Sequence, residues 1–433
     1  MIYFLIRPLT RLAFLAFYRK IHLTGMEHIL TGRPLILTAN HPTAFIEPCF
    51  LACFNPRVLY FMTRGDVFAN RWITWLLGQV HLIPIFRFHD GFSALRRNDA
   101  SFAAARKILG RGGAILIMAE GRMAHEKRLR PLQKGAARIG FGAMEEYDLK
   151  EVMIQPVGVN YTYAEQAGST IMVDFAPAFS LKDYLDQYSE TPQDTLQRVT
   201  DRIRIDLEER VVHIDRAEDE SLAELVLQLV RVHHPGVWPI MTHDRNPMLA
   251  EVRAMKQLAQ LDVETKARLY QQALAYDQKR QEAGIQDETV VSAPTWHAAK
   301  LGLLLVLRMV RGLTFLLQAP PLWFGRWITG RTVRIIEFRS SVLLGATMFA
   351  WAIWVFLVSI ATGVMFGIWG GISAFLVFFG LAAIYSMTGR LADQLMESRR
   401  WSRLPEEAQI AIQASRMAWK DAWQQQTEGL GGI

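Results

Sequence analysis

Pro34-Leu35-Ile36-Leu37-Thr38-Ala39-Asn40-His41-Pro42-Thr43-Ala44-Phe45-Ile46-Glu47-Pro48 is the stretch on which the reading of the fold turns. Its first five residues form a short apolar run that stops at polar residues, the pattern of a buried strand. Five later runs repeat that pattern: Val58–Met62, Val80–Phe86, Ala114–Met118, Met153–Val159 and Ile171–Phe175. A helical pattern from about Asp99 to Leu109 separates the third from the fourth. Two more, Leu181–Tyr188 and Gln193–Val212, follow the last. Strands that alternate with helices predict an α/β domain, a largely parallel mixed sheet flanked by helices, over residues 22–215.

Outward from this domain the chain becomes greasy. Of 433 residues, 51% are hydrophobic and 21% charged, too apolar for a disordered chain. At roughly 150 residues per domain the length suggests two to three units. Two cysteines exclude a disulfide-rich scaffold and a cysteine-built zinc cluster. The 50 residues 340–389 contain no Asp, Glu, Lys, Arg or His. One span needs about 20 apolar residues, so this run predicts a hairpin of two transmembrane helices turning in the Gly-rich stretch Gly363–Gly371. Arg326, Arg331, Arg334 and Arg339 precede it, and Arg390, Arg399, Arg400 and Arg403 follow it. Basic residues on both flanks put both ends in the cytoplasm. That orientation implies an inner (cytoplasmic) membrane with the α/β domain facing the cytoplasm.

Three further segments complete the plan. Leu301–Phe324 is apolar but carries Arg308 and Arg311 and is broken by Pro320-Pro321. An Arg at the bilayer centre costs about 2.5–3.5 kcal/mol on insertion scales, so residues 296–339 read as a membrane-associated segment whose apolar stretch lies in-plane or re-entrant, with a full span as the lesser alternative. Residues 1–21 are apolar with Arg7, Arg11, Arg19 and Lys20 and no acids, the composition of an interfacial helix or of an amphipathic helix on a soluble domain. Residues 216–295 are helical, with a linker at Asp287–Pro294, and 390–433 are a helical tail.

Four clusters carry chemistry. Asn40-His41 and Glu47 follow the first strand, where α/β folds place their active loops. A His beside a carboxylate is the smallest general-base unit, though the pair alone is a weak pattern. Arg87 ends Leu82-Ile83-Pro84-Ile85-Phe86-Arg87 and can grip a phosphate or simply sit in an exposed ion pair. Glu120-Gly121-Arg122 ends the fourth strand. Pro156 interrupts Ile154–Val159 and suggests a sheet edge or an altered strand end. From Arg87 to Arg138 there are 12 Lys+Arg and 4 Asp+Glu, a local +8 against +7 for the whole chain. Such a segment calls for an anionic partner. No RNA-binding or zinc motif accompanies it, so nucleic acid is not expected. His233, His234, His243 and Asp244 lack regular ligand spacing, so no metal is expected either. Cys49 and Cys53 read as core filling.

Asn-His-Pro, Ile-Pro-Ile-Phe-Arg, Glu-Gly-Arg and Pro-Val-Gly-Val, in that order, resemble the glycerophosphate and lysophosphatidate (PlsC-like) acyltransferase family. Gly25-Met26-Glu27-His28-Ile29 is similar to its lead-in and Leu132–Arg138 to its helix after the third motif. The resemblance implies a membrane-bound O-acyltransferase of phospholipid biosynthesis. His41 would be the general base and Glu47 its orienting carboxylate. Asn40, Arg87, Glu120, Gly121, Arg122 and Pro156 would bind the substrate. No cofactor is implied; acyl-CoA or acyl carrier protein is the donor, a phosphorylated glycerolipid the acceptor, and membrane lipid a partner. Two positions depart from the family: five residues and a Glu replace four residues and an Asp after the His, and Ala119 stands where Pro is usual. A different lyso-lipid acceptor, or a non-catalytic scaffold on anionic lipid, are the alternatives.

Overall fold

The structure, a computed structural model, describes residues 2–68, 70–85, 97–231 and 239–430. It divides into two compact units. The first comprises Met1–Val211, Met241–Arg245 and Ile335–Ser341, and the second holds the rest.

The first unit is built on one sheet. Its strands are β1 (Lys20–Thr24), β2 (Leu35–Ala39), β3 (Leu59–Arg64), β4 (Leu82–Ile85), β5 (Ala114–Met118), β6 (Met153–Tyr161), β7 (Thr170–Phe175), β8 (Phe179–Ser180) and β9 (Met241–Thr242). Their order is β4-β3-β5-β2-β6-β7-β1-β9, with β8 also on β6. From β4 to β6 all neighbours are parallel, and β7 runs antiparallel to β6. Every residue of β2 and β6 is buried. Strands covered on both faces read as continuous apolar runs, which is why these two are plain in the sequence. One face packs on the helix Gly135–Tyr147 and on Pro192–Glu208, with Ile36, Ile115, Ile154, Ile139, Val199 and Ile203 in one core.

Three expectations change. The N-terminal helix stops at Phe17, and Lys20–Thr24 leaves it to become β1 between β7 and β9. The short polar strands β8 and β9 carry no periodic signal. Pro156 does not mark a sheet edge: β6 lies between β2 and β7. It is tolerated because β6 changes partner there, pairing with β8 at Met153 and Ile154 and with β7 from Val157 on. The Pro156 carbonyl accepts from Ala176 N at 2.9 Å, so its missing N–H falls in the same gap between partners.

A buried ionic knot fastens the β7 end of the sheet. Asp174 Oδ2 meets Arg210 Nε at 3.2 Å and Arg245 Nη2 at 2.7 Å, while Thr24 Oγ1 donates to Asp174 Oδ1 at 2.6 Å. This knot brings residues 241–245 to the first unit.

The second unit is helical. Glu220–Val230, Asn246–Gln260 and Val263–Glu282 bury one apolar face each. The expected linker contains a helix, Asp287–Ser292. Asp287 is held by Arg416 Nε and Nη2 at 2.8 and 2.9 Å and by the Tyr276 hydroxyl, so buried charge joins the buried Ile285 and Val290 in ordering this polar stretch.

Two helices, Ala298–Thr332 and the run that ends at Arg403, are long and apolar enough to cross a membrane. The second is broken at Phe366 and Gly367, inside the expected turn; Gly367 has φ 76°, a conformation that favours glycine. Across the break the arms pair, Trp351 meeting Phe379 at 4.7 Å. The helix Ala298–Thr332 touches both arms through Gln318: Trp351 Nε1 donates to Gln318 Oε1 at 2.6 Å, and Gln318 Nε2 donates to Phe378 O at 3.4 Å. Before Gln318, Phe315 faces Tyr385 and Arg311 faces Gly389; after it, Gly325 faces Thr347. Pro320 and Pro321 lie inside this helix, which runs unbroken from Ala298 to Thr332.

Asp174→Ala should cost about 2–3 kcal/mol, because it leaves the buried Arg210 guanidinium only the exposed Glu209 carboxylate at 3.1 Å and the Asp206 carbonyl at 2.7 Å. The check is the shift in the chemical-denaturation midpoint; a change below about 1 kcal/mol contradicts the assignment.

Candidate active site

Parallel strands put their C-terminal ends on one edge, and the sheet order decides which loops meet there. β2 lies between β5 and β6, with Ala39 opposite Met118 on one side and Val157 on the other. The loops after β2 and β5 are therefore neighbours, and the far end of β6 flanks them.

His41 and Glu47 are brought together. His41 Nδ1 lies 3.2 Å from Glu47 Oε2. A carboxylate only accepts, so Nδ1 carries the hydrogen and Nε2 keeps a lone pair. The imidazole is 13% exposed and the Glu47 side chain 0%, so the ring can be reached and its partner cannot. Glu47 stands in the first turn of the helix Ile46–Phe54, where a negative charge is favoured. Its other oxygen accepts from Thr43 N at 2.9 Å and from the Tyr161 hydroxyl at 3.0 Å. The additional loop residue and the additional methylene of Glu over Asp are thus compatible with a closed dyad.

The helix bearing Glu47 is braced by the N-terminal helix Ile2–Phe17. Tyr3 donates to Ala52 O at 3.1 Å, Arg7 Nε donates to Cys53 O at 3.2 Å, and Phe14 packs on Phe50. Arg7 thereby satisfies carbonyls at the helix C-terminus, where a cation is favoured.

Asn40 and Glu120 hold the His41 loop through its backbone. Asn40 Nδ2 donates to Val159 O and its Oδ1 accepts from Val159 N, both at 2.8 Å. Both ends of this buried amide are occupied by β6. Glu120 Oε1 accepts from His41 N at 2.9 Å and Oε2 from Arg130 N at 3.2 Å. Burial pushes the Glu120 carboxyl up from the usual carboxylate range, and these two N–H groups pull it back. Gly121 has φ 68°, and a Cβ there would lie 3.0 Å from Gln133 Cγ. Ala119 N donates to Ala39 O at 2.8 Å, a bond that a proline in its place could not make. Arg122 is exposed on the same loop. Pro156 lies inside β6, five residues before Tyr161. Arg87, His233 and His234 lie outside the described residues. His243 Nδ1 is 2.7 Å from Leu23 O, and among the described residues no three His, Cys, Asp or Glu side chains converge on a metal site.

Sequence reasoning missed three contributors. Thr43 acts through its backbone N–H, which no side-chain pattern reports. Tyr161 ends an apolar strand, and a Tyr at a strand end was its only signal. Glu337 is almost 300 residues away: its carbonyl accepts from Ala44 N at 3.1 Å and its Oε1 from His125 N at 3.4 Å. Beside it, Ser341 Oγ accepts from Phe45 N at 3.2 Å and Phe338 packs on Phe45. The segment Ile335–Ser341 therefore ties the loop of His41 to the loop of Glu120.

Residues 20–160, about a third of the chain, match the family model described as Acyltransferase. Among solved structures the chain is similar to the 1-acyl-sn-glycerophosphate (LPA) acyltransferase PlsC from Thermotoga maritima, at 15% identity over 45% of this chain and 79% of that one, with a TM-score of 0.31. No curated protein matched the chain.

The two cysteines near the dyad are poor nucleophiles. Burial and the neighbouring Glu47 charge push the Cys49 thiol up to about 11, and burial pushes Cys53 up to about 12. Thiols react as thiolates, and at pH 8 a pKa of 11 leaves only about 0.1% thiolate. A maleimide or disulfide reagent at pH 8 should leave both unlabelled in the folded chain and label both in denaturant. Rapid labelling of the native chain would contradict this environment.

Proposed function

We propose that this chain transfers a fatty acyl group from a thioester donor, acyl-CoA or an acyl carrier protein, to a hydroxyl of a phosphorylated glycerolipid acceptor. The acceptor would be lysophosphatidate or glycerol 3-phosphate, and the reaction a step of phospholipid biosynthesis. The observation that carries the reading is the His41–Glu47 dyad, with Nδ1 committed to a buried carboxylate and Nε2 left to accept a proton.

In this mechanism His41 Nε2 takes the proton of the acceptor hydroxyl as that oxygen attacks the thioester carbonyl. The new C–O ester bond forms and the C–S bond breaks. The leaving thiolate recovers the proton from His41, so the enzyme returns to its starting state without an acyl-enzyme and without a cofactor. Glu47 keeps the tautomer and stabilises the imidazolium formed midway. Asn40 and Glu120 act by fixing the His41 backbone, Gly121 by allowing the turn. Arg122, Arg87 and the surrounding basic segment supply charge for the phosphate of acceptor or donor, and Pro156 shapes the strand that ends in Tyr161.

The two apolar helices fit membrane association, where acyl chains partition. The basic residues flanking them support an inner (cytoplasmic) membrane with the catalytic unit on the cytoplasmic side.

The test is the purified full chain with acyl-CoA or acyl carrier protein donors against lysophosphatidate, glycerol 3-phosphate and other lyso-lipids. His41→Ala should lower kcat by about 10²–10⁴-fold. Glu47→Gln should cost on the order of 10⁴-fold, because an amide N–H facing Nδ1 forces the wrong tautomer. Equal rates for wild type and His41→Ala overturn the mechanism, and the acceptor that saturates at the lowest concentration names the substrate.

A further inference from the structure

The second unit contains a cationic cavity that the acyl-transfer chemistry does not use. It has a volume of about 310 Å³ and lies between the helix Ala298–Thr332 and the second hairpin arm, with Arg308, Arg311, Gly312, Phe315, Tyr385 and Met396 in its wall. That space equals about ten waters of liquid. Its floor is open at Gly312, where an added Cβ would meet nothing within 4 Å.

The two guanidinium groups are poorly neutralised. Arg311 Nη1 reaches Asp393 Oδ1 only at 3.4 Å, with the Asp393 side chain 61% exposed, and its Cζ stands 5.5 Å over the Tyr385 ring. Arg308 Nη2 points at Met396 Sδ, 2.6 Å away. A thioether is a weak acceptor that carries no charge. No carboxylate lies within ion-pair distance of Arg308 among the described residues. The cavity wall therefore holds two fixed cations beside one exposed carboxylate.

The position is as informative as the charge. Arg311 faces Gly389, the last residue of the 50-residue uncharged run. If the hairpin crosses a bilayer, the cavity sits where hydrocarbon gives way to headgroups, with Phe315 on its apolar side. Two arginines three residues apart on one helix face present two planar forks to the same space, the geometry that phosphate oxygens take up. Basic pockets between membrane helices on the cytoplasmic side are suited to phosphate headgroups.

We propose that the Arg308–Arg311 cavity binds the phosphate headgroup of an anionic membrane lipid, its acyl chains lying along the apolar helix faces. The inference rests on the membrane reading of these helices but not on the reaction assigned to His41. The alternative source of the same chemistry is soluble phosphate.

The full chain in neutral detergent would be titrated with phosphatidate, with diacylglycerol as the uncharged control, and with inorganic phosphate and glycerol 3-phosphate as the soluble arm. Retained lipid would be read by native mass spectrometry. Wild type should retain phosphatidate and not diacylglycerol, and millimolar phosphate should not displace it. Arg308→Gln/Arg311→Gln should weaken retention at least tenfold, or 1.4 kcal/mol. Gly312→Leu, which fills the cavity and keeps both charges, should weaken it comparably, while Lys300→Gln should not. Because His41→Ala is expected to bind phosphatidate as wild type does, loss of turnover and loss of this site are separable. Unchanged retention in folded Arg308→Gln/Arg311→Gln, or in Gly312→Leu should the double variant fail to fold, overturns the proposal. Displacement by inorganic phosphate at concentrations matching the lipid overturns the lipid assignment.

Discussion

Glu47 has no solvent of its own, and a carboxylate withdrawn from water costs several kcal/mol unless the protein supplies replacement donors. It receives them from three directions: the imidazole of His41, the backbone of Thr43 and the hydroxyl of Tyr161. Each donor depends on a different part of the first unit. Thr43 requires the loop after β2 to turn back on the helix start. Tyr161 requires β6 to lie beside β2 and to be long enough to overshoot it. The helix itself requires the N-terminal segment to cover Phe50 and to satisfy its last carbonyls. The arrangement of sheet, loop and N-terminal helix can therefore be understood as what keeps one charge dry and one imidazole in a single tautomer.

Sequence carried the part of this that is periodic or apolar. The runs at Pro34–Thr38, Ala114–Met118, Met153–Val159 and Ile171–Phe175 coincide with β2, β5, β6 and β7 to within a few residues, because strands buried on both sides have no polar alternation to confuse. Lys20–Thr24 escaped because its neighbours share the composition of the N-terminal helix, and β9 because two residues cannot show a period. Pro156 misled for a physical reason: proline excludes a ladder bond on one side only, and a strand that changes partner has one to spare.

At the site, the pairing of His41 with Glu47 was legible, whereas the supporting contacts were not. Asn40 and Glu120 read as substrate contacts, yet their polar atoms are engaged by the backbones of Val159, His41 and Arg130. A motif shows which residue types are required; it does not distinguish a group that touches a ligand from one that holds the loop still. Contacts made by backbone N–H groups, such as those of Thr43 and Ala44, leave no mark in side-chain chemistry at all. The helix Ala298–Thr332 carries Arg308, Arg311, Pro320 and Pro321 and is nonetheless continuous, long and apolar enough to cross a membrane.

The segment Ile335–Ser341 also sets a schedule. The longest stretch of the first unit has emerged from the ribosome once Val211 is clear, but Ala44 N, Phe45 N and His125 N lack these acceptors until Glu337 and Ser341 arrive. At about 5–20 residues per second, that interval is on the order of 6–25 s. During it the apolar helix Ala298–Thr332 must be synthesised, and the hairpin follows. The loop that carries His41 is thus completed only after the apolar helix Ala298–Thr332 has been made, so the nascent domain remains unfinished while that helix is already in need of cover.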